Sequence, residues 1–321
     1  MKAMVLSSPR SIEEGPLQFA ELPPPKPQPG EILLRVRACG ICHTDLHIVE
    51  GEVRAKLPLI PGHQIVGLEE STGRRLGIAW LHRSCGQCPY CRSGRENLCD
   101  HAQFTGLHVH GGYAEYAVVP TDFAVPIPDP FTDAAAAPLL CAGIIGYRAL
   151  RLSGIQPRQR LGLYGFGASA HIAIQIARHW DCEVTVATRS YEHQQLAREL
   201  GAEWVGRSED VPRESLDAAI IFAPAGRLVS EALAALRKGG TLALAGIYMT
   251  PIPELPYERL YQERVLRSVA NATRDDAREL MRLASEIPLR TETQTFSLAD
   301  ANHALLALKH SRLRAAGVLL P

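Results

Sequence analysis

The chain has 321 residues, and at roughly 100–200 residues per domain it should contain about two domains with a sizeable core. Its 34 Lys and Arg balance 34 Asp and Glu, so no global field recruits nucleic acid or an anionic membrane, and neither is expected as a partner. No apolar run approaches the roughly 20 residues that span a bilayer, and MKAMVLSSPR opens like a strand without the apolar core of a signal peptide, which points to a soluble protein of the cytoplasm.

The first 145 residues or so are rich in Gly, Pro and short β-branched runs such as EILLRVRACG, and read as an irregular β domain. Within them PPPKPQPG at 23–30 is an extended connection. From Arg160 the pattern changes to RLGLY, GFGASA, HIAIQIARHW, EVTVAT and YEHQQLARELGA, an alternation of strand, glycine turn and helix that signals a parallel sheet with crossover helices. It continues through LDAAIIFAP, a helix over GRLVSEALAALRKGG stopped by its glycines, TLALAGI and a last strand in VLRSVANA. Thr273, with Asp276 three residues on, starts a helix over TRDDARELMRLASEI. After Pro288 come a short β-like stretch, a helix from about Leu298 and a final AAGVLL strand, a tail able to return to the first domain. The fold class is therefore α/β with a separate β domain.

Eight cysteines fall at 39, 42, 85, 88, 91, 99, 141 and 182. In a reducing compartment such clustering suggests metal rather than disulfides. Cys85, Cys88, Cys91 and Cys99 form C-x2-C-x2-C-x7-C, four soft ligands on a short loop. Zinc fits this set best, with an iron–sulfur cluster as the rival and packed free thiols as the plain alternative. Four thiolates close the coordination shell, so this site orders the loop and has no place for substrate. A scattered second set, Cys42 in CGICHTDLH, His63 in PGHQ and Cys141 in PLLCAG, is weak residue by residue, since lone histidines and cysteines usually pack or face solvent. Together they offer a Cys2His site with one open position, the arrangement of a catalytic zinc.

Gly165, Gly167, Ala168, Ser169 and Ala170 lie in G-x-G-x-x-A directly after RLGLY and opening a helix. This context lets helix N-terminal amides face a pyrophosphate, whereas a tight turn without ligand is the plain alternative. At the end of the second strand, where an acidic residue binds the ribose of NAD, stand Thr188, Arg189 and Ser190. No carboxylate there repels a 2′-phosphate, and Arg189 can pair with one, which favours NADP(H) over NAD(H) unless Arg189 is only a solvated surface charge.

Taken together, CGICHTDLH, PGHQIVG, CGQCPYCRSGRENLC, GGYAEY, PLLCAG and GFGASA resemble the zinc-dependent medium-chain dehydrogenase/reductase family, in its alcohol dehydrogenase branch, over nearly the whole chain. The resemblance implies a GroES-like catalytic domain at 1–145, a Rossmann doubly wound domain at 146–285 and a C-terminal return at 286–321. It implies two zinc ions per subunit, a catalytic one on Cys42, His63 and Cys141 and a structural one on Cys85, Cys88, Cys91 and Cys99. It also implies a proton relay through Thr44 and His47, a carboxylate, Asp45, behind His63, and pyrophosphate contacts from His43 and Arg314. The implied activity is interconversion of an alcohol and an aldehyde with a nicotinamide cofactor, in a homodimer or homotetramer.

Gln64 departs from the family's usual Glu beside the zinc histidine. With two thiolates already balancing a divalent ion, the neutral amide leaves the site neutral. Trp80 falls where the family places a large pocket-lining side chain, which implies a preference for slender primary alcohols; ordinary core is its plain alternative. A polyol dehydrogenase would need a carboxylate ligand in place of Cys141. A nucleotide-binding protein without catalysis is the reading from another class, and the intact ligand and relay positions argue against it.

Overall fold

The computed structural model describes residues 1–313 and 316–321. It divides into two units, Met1–Cys141 with Ala272–Glu286 and Arg290–Pro321, and Ala142–Asn271 with Ile287–Leu289.

The first unit is built on a sheet ordered Thr293–Ser297, Ala316–Leu320, Glu31–Gly40, Gln64–Glu69, Arg75–Ile78, Ala124–Pro126, with Tyr116–Pro120 pairing the early half of Glu31–Gly40. In Glu31–Gly40, buried Leu34 and Val36 alternate with exposed Arg35 and Arg37, as expected of a strand with one wet face. The alternation then stops. Ala38, Cys39 and Gly40 are all buried, because the C-terminal strand lies alongside: Leu319 pairs Cys39, Val318 pairs Gly40, and the Ile41 amide donates to the Gly317 carbonyl at 2.9 Å. The tail thus clamps the residues that lead into Cys42.

The helix Arg274–Glu286 groups with this unit, although the family resemblance implies a dinucleotide domain that runs to 285. Its start is the expected capping box: the Asp276 amide donates to Thr273 Oγ1 at 3.1 Å and the Thr273 amide to Asp276 Oδ2 at 2.9 Å. What binds it here is Arg274, whose amide and Nε both donate to the buried Glu96 carboxylate, at 3.0 and 3.3 Å, while its guanidinium lies 4.6 Å over the Phe123 ring.

The second unit is a six-stranded parallel sheet in the order Trp204–Gly206, Glu183–Ala187, Arg160–Tyr164, Leu216–Ile221, Leu236–Leu244, Val265–Ser268. Numbered within the unit this is 3-2-1-4-5-6, the doubly wound dinucleotide order. The central strands are apolar on both faces, with Leu161, Leu163, Ile220 and Ile221 fully buried. The three-residue strand at Trp204 is too short for a periodic signal and went unread in the sequence.

One helix ends earlier than its glycines suggest. It spans Leu228–Ala235, and Leu236 already begins the next strand. Leu236 is fully buried in the sheet and pairs Leu216, Arg237 Nε meets Asp217 at 2.7 Å, and the following residues, with Gly239 at φ +71°, bulge out before Thr241 pairs Ala218. Burial of one leucine outweighs the local helix pattern.

Candidate active site

Cys42 caps the helix His43–Val49, and its amide donates to Asp45 Oδ2 at 2.9 Å. The Asp45 carboxylate is fully buried and gathers three further donors: His63 Nδ1–H at 2.9 Å, the Gly62 amide at 3.3 Å and the Tyr113 hydroxyl at 3.2 Å. These bonds fix the His63 ring from behind. Gly62 must be glycine, because it sits at φ +95° and a Cβ would lie 2.4 Å from the Tyr113 ring. Cys141 follows the short helical turn Ala137–Leu140.

The ligand atoms of Cys42, His63 and Cys141 all lie within 4.8 Å of one another. His63 Nε2 is buried and has no hydrogen-bond partner among the described residues, an arrangement that costs about 1–3 kcal/mol unless something occupies it. The thiols also compete for charge. Hydrogen bonding from Cys141 holds the Cys42 thiol well below its usual range despite burial, and the same contact pushes Cys141 well above it. Burial pushes His63 down, yet the Asp45 charge and Cys42 raise it to about 10. Such a set suits one divalent cation, which would replace the shared protons and give the orphan nitrogen a partner. The residues fit zinc.

Thr44 is buried, with Oγ1 3.8 Å from Cys42 Sγ. His47 lies three residues further along the same helix face, half-buried, and its Nδ1 pairs with the Glu52 carboxylate. His43 is exposed, its ring 6.5 Å from that of His47. Gln64 is buried and lies against Gly40, where a Cβ would come within 3.0 Å of its amide carbon. Trp80 stands beside the cluster, its ring 4.8 Å from the His63 ring and edge-on at 74°.

In the cysteine lobe, Cys88 Sγ and Cys91 Sγ are 3.5 Å apart and Cys85 Sγ and Cys91 Sγ 3.9 Å, with all four sulfurs, Cys99 included, within 4.8 Å. Four thiolates about 2.3 Å from one tetrahedral ion stand about 3.8 Å apart, so the lobe matches a single zinc. A core of several irons holds its cysteines further apart. Amides of Cys85, Cys88 and Cys91 point at neighbouring sulfurs at 3.4–3.5 Å, donors suited to thiolates.

In the second unit Gly165 adopts φ +87°, and a Cβ there would be 2.9 Å from Ala223. Gly167 differs. A Cβ on it would meet nothing within 4 Å, and it begins the helix Ala168–His179 with no side-chain cap. Open space in front of uncapped amides is what a bound pyrophosphate needs. Ser169 is half-buried and Ala170 fully buried under this helix. Thr188 is buried, its amide on the Gly206 carbonyl at 3.0 Å, while Arg189 is exposed. Ser190 Oγ accepts from the His193 amide at 3.3 Å, so this hydroxyl caps the next helix. Arg314 lies outside the described residues.

Two partners were not read from the sequence. Tyr113 sits in the GGYAEY motif without any local sign that its hydroxyl reaches Asp45, 68 residues away, and Glu52 is signalled only by the Gly51 turn that folds it back on His47.

The family described as "Alcohol dehydrogenase GroES-like domain" matches residues 28–129, and that described as "Zinc-binding dehydrogenase" matches residues 170–286. "Probable alcohol dehydrogenase AdhA" of Mycobacterium tuberculosis is 45% identical, covering 100% of this chain and 97% of the relative. An alcohol dehydrogenase of Geobacillus stearothermophilus is 34% identical over 94% of this chain and 95% of its own. The structure of a cinnamyl alcohol dehydrogenase from Sorghum bicolor superposes with a TM-score of 0.90 at 26% identity, covering 99% of this chain and 97% of the other. Full-length relatedness of this kind, joined to two zinc-compatible ligand sets and a doubly wound sheet, shows that the chain belongs to the zinc-dependent medium-chain dehydrogenase/reductase family, in its alcohol dehydrogenase branch.

Proposed function

We propose that the chain is a zinc-dependent alcohol dehydrogenase and aldehyde reductase that interconverts mainly primary alcohols and their aldehydes and prefers NADP(H) to NAD(H). The observation that carries this reading is the buried His63 Nε2, without a hydrogen-bond partner among the described residues, grouped with two cysteine sulfurs and flanked by the Thr44 hydroxyl. The alcohol dehydrogenase names of the Mycobacterium and Sorghum proteins support the substrate class.

Cys42, His63 and Cys141 would hold a catalytic zinc and Cys85, Cys88, Cys91 and Cys99 a structural one, two per subunit. When bound, the catalytic zinc would supply Lewis acidity and the nicotinamide a hydride acceptor or donor. The chain's own residues do the rest. Thr44 takes the hydroxyl proton and His47, one turn on, passes it towards solvent, with Glu52 steadying the imidazole. Asp45 keeps His63 in the tautomer that leaves Nε2 free to ligate. Gln64 keeps a further negative charge away from two thiolates that already balance the ion.

Residues 1–145 and 286–321, together with the helix Arg274–Glu286, act as the catalytic domain and the rest of 146–285 as the dinucleotide domain. Gly165, Gly167, Ala168, Ser169 and Ala170 would receive the pyrophosphate, and Arg189 with Thr188 and Ser190 the 2′-phosphate. Trp80 walls the pocket and disfavours branching at the carbinol carbon. The enzyme works as a homodimer or homotetramer in the cytoplasm.

The test is a panel of primary, secondary, allylic and aromatic alcohols assayed with both cofactors. The reading predicts higher kcat/KM with NADP and with primary alcohols. A clear preference for NAD refutes the role of Arg189, and a preference for secondary alcohols refutes that of Trp80.

A further inference from the structure

The Trp80 ring, half-buried beside His63, is held in place without a hydrogen bond: its indole N–H is buried and has no acceptor among the described residues. Its orientation therefore depends on apolar packing against the core and, within that, on two ring contacts. One is the edge-on approach to His63. The other is Phe104, whose ring stacks on Trp80 with centroids 5.2 Å apart and planes 15° from parallel. Offset stacking at this distance is a favoured aromatic arrangement.

Phe104 is itself anchored through its backbone and its ring. Its carbonyl accepts from the amides of Leu107, His108 and Val109 at 3.3, 2.9 and 3.4 Å, and its amide donates to His108 Nδ1 at 3.1 Å. The His108 ring lies 5.5 Å from the Phe104 ring at 35°. The next residue ties this turn to the backbone around Trp80: the Thr105 hydroxyl donates to the Ala79 carbonyl at 2.9 Å and the Thr105 amide to the Trp80 carbonyl at 2.9 Å. Gly106 then presses on the segment before His63, since a Cβ there would lie 2.9 Å from the Gly62 nitrogen. One turn thus touches the backbone beside both the pocket wall and the histidine ligand.

We propose that Phe104 is a positioning residue for substrate selection, holding the Trp80 ring edge-on to His63 and so fixing the width of the pocket beside the cluster. The proposal rests on Trp80 lining that pocket, as in the function proposed above. Removing the Phe104 ring leaves the indole one supporting face fewer and no hydrogen bond to replace it. The indole can then tilt away and admit a substituent on the carbinol carbon, while the ligands and Thr44 stay in place.

The experiment compares zinc-loaded wild type, Phe104→Ala, Phe104→Tyr and Trp80→Ala, with a linear primary alcohol and a secondary alcohol of equal carbon number. An aromatic pair of this kind converts to between about twofold and about tenfold in a rate ratio. Phe104→Ala should lower the primary-to-secondary ratio of kcat/KM by that factor, through a lower KM for the secondary alcohol with kcat for the primary one nearly kept. Phe104→Tyr should restore the ratio. Trp80 emission should also shift in Phe104→Ala, a change absent when Trp80→Phe is added. If Trp80→Ala alters the ratio but Phe104→Ala does not, the positioning role is overturned while the pocket reading stands. If neither alters it, the pocket reading fails and takes this proposal with it.

Discussion

Replacement of Asp45 by Asn tests how the cluster is held. The two side chains have nearly the same volume, but Asn offers one acceptor oxygen and an amide group that only donates. Asp45 receives two donors on each side: His63 Nδ1–H and the Gly62 amide at Oδ1, the Cys42 amide and the Tyr113 hydroxyl at Oδ2. In the better orientation the Asn nitrogen faces the Tyr113 hydroxyl, which can turn to accept, and the buried Cys42 amide still meets another donor. Leaving that amide unsatisfied costs about 1–3 kcal/mol of stability, and the other orientation costs more. Loss of the carboxylate behind a ligating histidine lowers metal affinity by about 10–100-fold. Competition with a chromophoric chelator gives the zinc affinity, and denaturant unfolding gives the stability. Tyr113→Phe, which removes a single donor, should show a smaller loss of about 1–2 kcal/mol in the same assay. A zinc affinity for Asp45→Asn within about twofold of wild type, with unchanged unfolding, would refute the reasoning.

Gly167→Ala adds a methyl into open space at an ordinary φ of −101°, so unfolding of the ligand-free protein should change by less than about 0.5 kcal/mol while dinucleotide affinity falls about tenfold or more; Gly165→Ala, strained at φ +87° against Ala223, should lose at least about 1 kcal/mol of stability. Calorimetric titration with NADP and denaturant melts separate these effects, and equal NADP affinity for Gly167→Ala and wild type would contradict the loop assignment. Burial holds His171 at about 4, below the roughly 6.5 of an unfolded histidine. The unfolded chain therefore binds the proton first, so stability present above about pH 6.5 is lost as pH falls towards 4, by up to about 3 kcal/mol. The acid slope of unfolding free energy in His171→Leu should be shallower by up to about one proton, and an unchanged slope rejects the attribution. Cys88→Ser removes one of four thiolates from the lobe and should lower bound zinc by one equivalent per chain and destabilise the fold by more than about 3 kcal/mol; elemental analysis showing full zinc content would count against the single-ion lobe.

How much was legible in the sequence follows the distance over which each signal acts. The Cys85–Cys99 spacing is local and carries its own chemistry, and the strand–glycine–helix pattern at 160–179 combines two periodicities with a turn. The Thr273–Asp276 box is equally local, and its hydrogen bonds form as the spacing requires. By contrast Cys42, His63 and Cys141 meet through three separate elements, so residue types alone left them weak until the family resemblance joined them. Tyr113 and Phe104 had no sequence signal for their roles, because a hydroxyl reaching a carboxylate or one ring stacking on another depends on tertiary packing, and Glu52 had only the Gly51 turn. The helix at Leu228 shows the same limit from the other side: local pattern and glycines favoured a longer helix, and the buried Leu236 in the sheet decided otherwise. Arg274 similarly binds its helix to the first unit through a buried glutamate that no window of sequence reveals.

The central claim is that Cys42, His63 and Cys141 form a zinc site that oxidises alcohols. Its most direct test is alcohol-dependent reduction of NADP, followed by nicotinamide absorbance, in zinc-loaded wild type, the chelator-stripped protein and zinc-loaded Cys42→Ser. The account predicts turnover in the first, loss in the second that added zinc restores, and at least about a hundredfold lower kcat/KM in the third with the lobe zinc retained. Undiminished turnover by Cys42→Ser, or by the stripped protein with its zinc content shown to be nil, would contradict it.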